Sequence, residues 1–324
     1  MKKTFQKNAL IGILGAAFLI ALAIFAAQFS RTSVLLAQSA KIEAGSSSTV
    51  LRNLPVDKTA IVTTKTYLSA AQLSAGVQQN QLLKTNLNWI FGGKQQRGWY
   101  LYEPLICDLI KVENGAEVSN FTDALAQWQH NSGVSPNGVL DEATLSAIIG
   151  MWQAHRLKIK HDASPDELLV APPNDFYAPS RPDELRQVER STFDAYKKMI
   201  RAAAADKSLN LAVNSSGELA DSEQFLKIIS AYRSRDYQAK LRRASPNSGS
   251  AGLAINSPHF TGRALDIYVG GEPVSTVDAN RELQVKTPVY KWLVKNAGKF
   301  GFKPYFYEPW HWEFAPDEEK QNGF

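Results

Sequence analysis

The stretch NSPHFTGRALDIYV, residues 256–269, places His259 seven positions ahead of Asp266. An imidazole and a carboxylate are ligand types that a hydrolytic zinc ion takes. Such a site uses three protein ligands and keeps one position open for water or substrate. His259 and Asp266 offer two of the three. The chain has five histidines, His130, His155, His161, His259 and His311. Only His311, in YEPWHWEF, accompanies His259 in the C-terminal part of the chain. Glutamates flank it on both sides, Glu308 and Glu313, and splitting water on a metal needs such a carboxylate as base. Alternation along a regular strand puts Glu313 on the face of His311 and Glu308 on the other. Pro309 interrupts that alternation, so both glutamates are candidates.

These residues need elements to carry them. RALDIYV reads as a strand that begins beside Asp266, QFLKIISAY turns into a second strand, and YEPWHWEFAP reads as a closing strand. VERSTFDAYKKMIRAAAAD, residues 188–206, has the spacing of an amphipathic helix. TPVYKWLVKNAGKFGF reads as another helix that ends near Gly298 and Gly301. Short strands mixed with a few helices predict an α+β domain over 185–318, a short antiparallel sheet with flanking helices. A glycine, Gly262, and small residues lie between His259 and Asp266. Residues 240–256, KLRRASPNSGSAGLAIN, read as a small-residue loop leading into the His259 segment.

The preceding sequence divides differently. Residues 156–184, rich in proline and acids, read as an extended linker. Residues 62–155 form a first globular region. Its clearest part, NFTDALAQWQHNSGVSPNGVLDEATLSAIIGMW, has apolar positions 121, 125 and 128 at helical spacing and SPNG as a turn. Asp141 is placed to cap a second helix that turns Leu145, Ile148 and Ile149 inward. GWYLYEPL reads as a strand or a buried aromatic patch. Cys107, the only cysteine, lies among apolar residues as a small buried hydrophobe. It excludes an intramolecular disulfide and a cysteine-based zinc site.

At the N-terminus, Lys2, Lys3 and Lys7 precede residues 9–27, which carry no charge. That length approaches the roughly 20 residues of a membrane span and exceeds the usual signal-peptide core. Residues 1–29 are expected to be a signal anchor or a signal peptide. The lysines hold the N-terminus in the cytoplasm, and the rest is exported to the outer side of that membrane. Residues 30–61 are a spacer and 319–324 a tail. A net charge of +5 without a dense basic cluster suits anionic surroundings such as a cell wall and gives no reason to expect nucleic acid.

Three segments carry a resemblance. SPHFTGRALD is similar, position by position, to the S-x-H-x-x-G-x-A-x-D motif of the LAS-type zinc peptidases, a superfamily that includes the VanY-type D-alanyl-D-alanine carboxypeptidases. EPWH is similar to its E-x-x-H motif. SAYRSRDYQ resembles its S-G-Y-R-S-x-x-x-Q segment, with Ala231 where glycine is common. The resemblance implies Zn²⁺ held by His259, Asp266 and His311. It implies Glu308 as the base that shuttles a proton to the leaving amine, which leaves Glu313 as a partner for a ligand. It implies Arg233 at the peptide carbonyl or oxyanion, Gln238 orienting the arginine segment, and Ser257 at the substrate. Trp310 is a candidate substrate contact. The Pro-Pro-Gly of many relatives is missing from 240–256, which bears on substrate preference. Residues 120–152 resemble the small helical peptidoglycan-binding module through Gln127-Trp128-Gln129, Gly133, the Pro136-Asn137-Gly138 turn and DEATLSAI. Together these imply a peptidase that removes a terminal D-alanine from peptidoglycan stem peptides, with the helical module on the wall polymer and residues 9–27 in the membrane. An endopeptidase with the same site and a non-catalytic wall-binding protein are the rival readings.

Overall fold

In the computed structural model, residues 67–245 and 254–316 are described. The expected anchor at 9–27, the spacer at 30–61, the tail at 319–324 and the middle of the 240–256 loop lie outside them. Among the described residues no helix is long and apolar enough to cross a membrane.

The C-terminal part is α+β, as its patterning predicts. Its sheet runs β5 (Ile228–Ser230), β6 (Ala264–Ile267), β8 (His311–Phe314), β7 (Phe302–Pro304) in spatial order, with every neighbour antiparallel. Helix α5 (Arg190–Ala205) buries Tyr196, Met199, Ile200 and Ala203 along one face. Glu189 starts it, its carboxylate accepting the backbone N–H groups of Ser191 and Thr192. Helices α7 (Asp278–Lys286) and α8 (Pro288–Asn296) follow β6; Thr287 caps the second, and Gly301 turns the chain in the left-handed region into β7.

Residues 240–244, expected in a loop, are the last turns of helix α6 (Arg235–Ala244), whose N-terminus Ser234 caps. Strand β8 starts only at His311. Glu308, Pro309 and Trp310 form a turn closed by the His311 N–H donating to the Glu308 carbonyl at 2.9 Å.

Before this lies helix α1 (Ala70–Asn86), the hairpin β1 (Asn88–Phe91)–β2 (Lys94–Arg97), and helices α2 (Glu103–Leu109), α3 (Val118–Asn131) and α4 (Glu142–Ala154). GWYLYEPL is no strand: it is a short 3-10 turn running into α2, and Trp99, Leu101 and Tyr102 are buried. Asp141 caps α4 as expected, accepting the Thr144 N–H at 2.8 Å. The turn at Pro136–Gly138 is held by two buried amides. Gln129 donates to Asn137 Oδ1, the Val139 carbonyl and Thr144 Oγ1, and accepts the Gly138 N–H at 2.7 Å. Asn80 of α1 donates to the Gly138 carbonyl at 2.7 Å and accepts the Leu140 N–H at 2.8 Å.

The helical region and the α+β part belong to one compact unit, Thr64–Phe324. An aromatic seam joins them. Phe306 packs between Phe91, Tyr102 and Trp152, with ring centroids 4.8, 5.4 and 5.7 Å away. Residues 162–184, expected as an extended linker, instead alternate short 3-10 turns at Pro165–Glu167, Pro173–Asp175 and Asp183–Leu185 with one strand, and are packed on the body. They contain β3 (Leu168–Val170), which pairs antiparallel with β4 (Gln187–Glu189), and Phe176 bridges to Ile228 of β5.

Candidate metal centre

Register brings the predicted ligands together. Asp266 of β6 stands directly opposite His311 of β8, and directly opposed residues of an antiparallel pair project from the same face. His259 arrives from the 3-10 turn Pro258–Thr261 just before β6. Gly262 reverses the chain there at φ +65°, and a Cβ on it would meet Leu168 Cδ2 at 2.9 Å and Glu189 N at 3.0 Å. Only glycine accepts both that conformation and that contact.

Asp266 Oδ1 lies 3.3 Å from His259 Nε2 and 3.0 Å from His311 Nδ1. One donor atom from each of the three residues falls within 4.8 Å of the others. Donors around one tetrahedral ion at roughly 2.0–2.1 Å are about 3.3 Å apart, so the set fits a small divalent cation. The other ring nitrogens are also held. His259 Nδ1 is 2.6 Å from the Ala231 carbonyl, so that nitrogen carries the hydrogen and Nε2 faces the site as an acceptor. His311 Nε2 is 3.2 Å from Glu313 Oε1. A carboxylate there calls for N–H on Nε2 and leaves Nδ1 for an ion.

All three ligands are buried, at 2–4 % exposure, and their protonation follows from what surrounds them. Burial, reinforced by the Arg233 cation, lowers the His259 pKa to about 4, so its imidazole is neutral at pH 7. Burial also opposes charge on His311. Its contacts with Asp266 and Glu313 win, and raise it to about 9. Burial would raise Asp266, but His259, Arg233 and His311 hold its carboxyl well below the usual range. Glu313 is likewise held at about 2 against burial by His311 and Arg156.

Glu308 is different. It is 7 % exposed, and its carboxyl makes no hydrogen bond or ion pair among the described residues. Burial raises its pKa to about 8, the nearby His311, Arg233 and Arg156 only partly offsetting this. A carboxyl whose affinity for a proton lies near neutrality is suited to accept one and return it. The 308–310 turn removes it from the strand alternation, so face parity no longer decides between the glutamates. Glu313 engages His311 Nε2 instead.

Arg233 is buried with its guanidinium engaged. Nε donates to Ser230 Oγ at 2.9 Å, Nη1 to Gln238 Oε1 at 3.4 Å, and Nη2 to Asp266 Oδ2. Gln238 thus touches the arginine, and also donates to the Ala254 carbonyl at 3.0 Å. Ser257 is buried as the cap of the 3-10 turn, its Oγ accepting the His259 N–H at 3.4 Å. Trp310 is 2 % exposed, so its indole presents no open face. Two arginines outside the motifs bear on this centre, one by contact and one by its charge. Arg156 donates to Glu313. Arg181, half-buried, has no ion-pair partner among the described residues. Burial lowers its pKa, and it feels the charges of Arg233 and Asp266.

Two imidazoles, a carboxylate, a neighbouring proton acceptor and a fixed cation make up a metallohydrolase constellation. Residues 186–317 match the family model of VanY, D-alanyl-D-alanine carboxypeptidase. This part of the chain is a domain of that family. The match does not extend to the helical region before it. No curated protein matches the chain.

Proposed function

We propose that the chain is a zinc-dependent carboxypeptidase that removes the terminal D-alanine of peptidoglycan stem peptides. The observation that carries this reading is the convergence of His259, Asp266 and His311 beside Glu308, a buried carboxyl without a hydrogen-bond or ion-pair partner among the described residues. A divalent ion held by the three ligands would supply Lewis acidity toward the scissile carbonyl and acidify a water molecule. Glu308 takes the proton from the attacking water and returns it to the leaving amine of D-alanine. Arg233 fixes Asp266 and places a permanent cation beside the negative charge that develops on the carbonyl oxygen.

The preference for a chain end rests on Arg181. A carboxypeptidase must accept a terminal carboxylate in a desolvated cleft, and the half-buried Arg181 guanidinium, which makes no ion pair among the described residues and feels the charges of Arg233 and Asp266, is the group we assign to it. An endopeptidase has no use for it. The helical region would serve the same substrate by holding the enzyme on polymeric wall. The uncharged run at 9–27 would place the enzyme on the outer side of the cytoplasmic membrane, where that polymer lies.

The test is incubation of the purified protein with defined muropeptides, with and without a chelator, followed by mass spectrometry. Release of free D-alanine, lost on chelation and in Glu308→Gln, is the expected result. Full activity after thorough zinc removal would overturn the mechanism. Internal cleavage without free D-alanine would replace the carboxypeptidase with an endopeptidase. Amidation of the substrate's C-terminus should raise KM steeply in the wild type and little in Arg181→Ala.

A further inference from the structure

We infer that Arg156, which precedes the VanY-family segment by thirty residues, is a positioning residue of the metal centre, acting through Glu313 on His311; the inference rests on the metal-binding reading above. Glu313 of β8 is 1 % exposed. Its Oε1 accepts from Arg156 Nε at 3.0 Å, from Arg156 Nη2, and lies 3.2 Å from His311 Nε2. Its Oε2 accepts the Leu157 backbone N–H at 2.8 Å. Both carboxylate oxygens are therefore occupied, and all the donors but the imidazole come from the start of the 156–184 segment, where the chain leaves α4 of the helical region. Arg156 is itself fixed, its guanidinium 4.0 Å over the Tyr305 ring, and that ring meets His311 edge-on at 5.8 Å.

The physical consequence is orientational. The His311 ring presents Nδ1 to the site only while Nε2–H has an acceptor in the right place. Glu313 is that acceptor, and a buried carboxylate needs its own donors to stay put. The family fold supplies Glu313, but the donors that pin it belong to the preceding region. The helical region would thus complete the metal site, whatever it does at the wall. A domain cut at the family boundary would keep all three ligands and lose the clamp.

The experiment uses the full chain and reads metal affinity. Zinc dissociation constants are measured by competition with a chromophoric chelator for wild type, Arg156→Gln, Arg156→Lys, Glu313→Ala and the Arg156→Gln/Glu313→Ala double variant. The visible spectrum of the Co²⁺-loaded proteins reports ligand geometry. Loss of a partner behind a ligating histidine typically costs 10–100-fold in affinity. Arg156→Gln should lose about tenfold at the lower end of that range, with an altered Co²⁺ band. Arg156→Lys, which keeps a cation over Tyr305, should lose less. In the Glu313→Ala background Arg156→Gln should cost nothing further. Affinity of Arg156→Gln and Arg156→Lys within twofold of wild type would overturn the inference, as would an equal loss with and without Glu313, which would mean general destabilisation. Melting of the chelated proteins shows whether a variant is folded. A wild type that binds no zinc at all would instead sink the metal-binding reading itself.

Discussion

Replacing Glu308 by glutamine should make the metal-free protein more stable at neutral pH while abolishing turnover. In the folded chain burial lifts the Glu308 pKa from 4.5 to about 8. The sign follows directly. Its folded-state pKa lies above the unfolded value, so the folded form binds the proton more tightly. Its contribution is therefore fully present below about pH 4.5 and is lost progressively as pH rises towards 8. At pH 7 the unfolded carboxyl has been ionised over about 2.5 pH units while the folded one is still mostly protonated. At 1.36 kcal/mol per unit this is a penalty of about 3 kcal/mol. Glutamine has nearly the same shape and does not titrate. The stability gap between Glu308→Gln and wild type should be near zero at pH 4.5 and about 3 kcal/mol at pH 7. For a unit of this size that corresponds to a rise in Tm of roughly 6–12 °C. The assay is thermal or urea unfolding of chelated protein at pH 5 and pH 7, comparing the two proteins at each pH so that other titrating groups largely cancel. Saturating zinc should narrow the gap, since an adjacent dication stabilises the carboxylate. A gap independent of pH, or a wild type that outlasts the variant at pH 7, would show that Glu308 is not a desolvated carboxyl. It would also remove the reason to give it the proton-transfer role.

Zinc binding at pH 7 should release between one and two protons, because His311, held protonated up to about 9 in the metal-free protein, must give up its Nδ1 proton and Glu308, held near 8 by burial, is driven towards its carboxylate by the ion; calorimetry in buffers of different ionisation enthalpy measures the number. Asp266→Asn should abolish zinc binding and destabilise the chelated protein by about 3–5 kcal/mol, the cost of leaving buried Arg233 without its counter-charge, read by urea unfolding. Gly262→Ala should destabilise by about 2 kcal/mol or more, since alanine meets both a strained φ and the Glu189 backbone; an unchanged unfolding midpoint would contradict the contact. Gln129→Ala should cost about 2–4 kcal/mol through the polar groups it leaves unpaired at the 136–138 turn, while zinc affinity changes little.

The motif residues were legible because their chemistry is local. His259, Gly262 and Asp266 lie within eight positions, and the three-residue step from Glu308 to His311 is short enough to read as one unit. Periodicity also exposed α5 and the helix α3, whose buried faces are mainly apolar. It missed α1, because that helix buries Gly76 and Asn80, one small and one polar, and leaves no apolar stripe. It missed α7 for a similar reason, since Asn280, Arg281 and Gln284 are among its buried residues. Alternation favoured Glu313 as the base; the turn at 308–310 takes Glu308 off the strand, so that argument no longer applies.

By itself the sequence determined which groups could hold a metal, that they sit on an α+β scaffold, and that a proton acceptor stands beside them. The tertiary structure decided what those groups are held by. Arg156 meets Glu313 across 157 positions, and Phe306 seats among Phe91, Tyr102 and Trp152. No spacing encodes such contacts. They arise when a sheet register and an aromatic seam fold distant segments together, and burial then sets the protonation of each group they enclose.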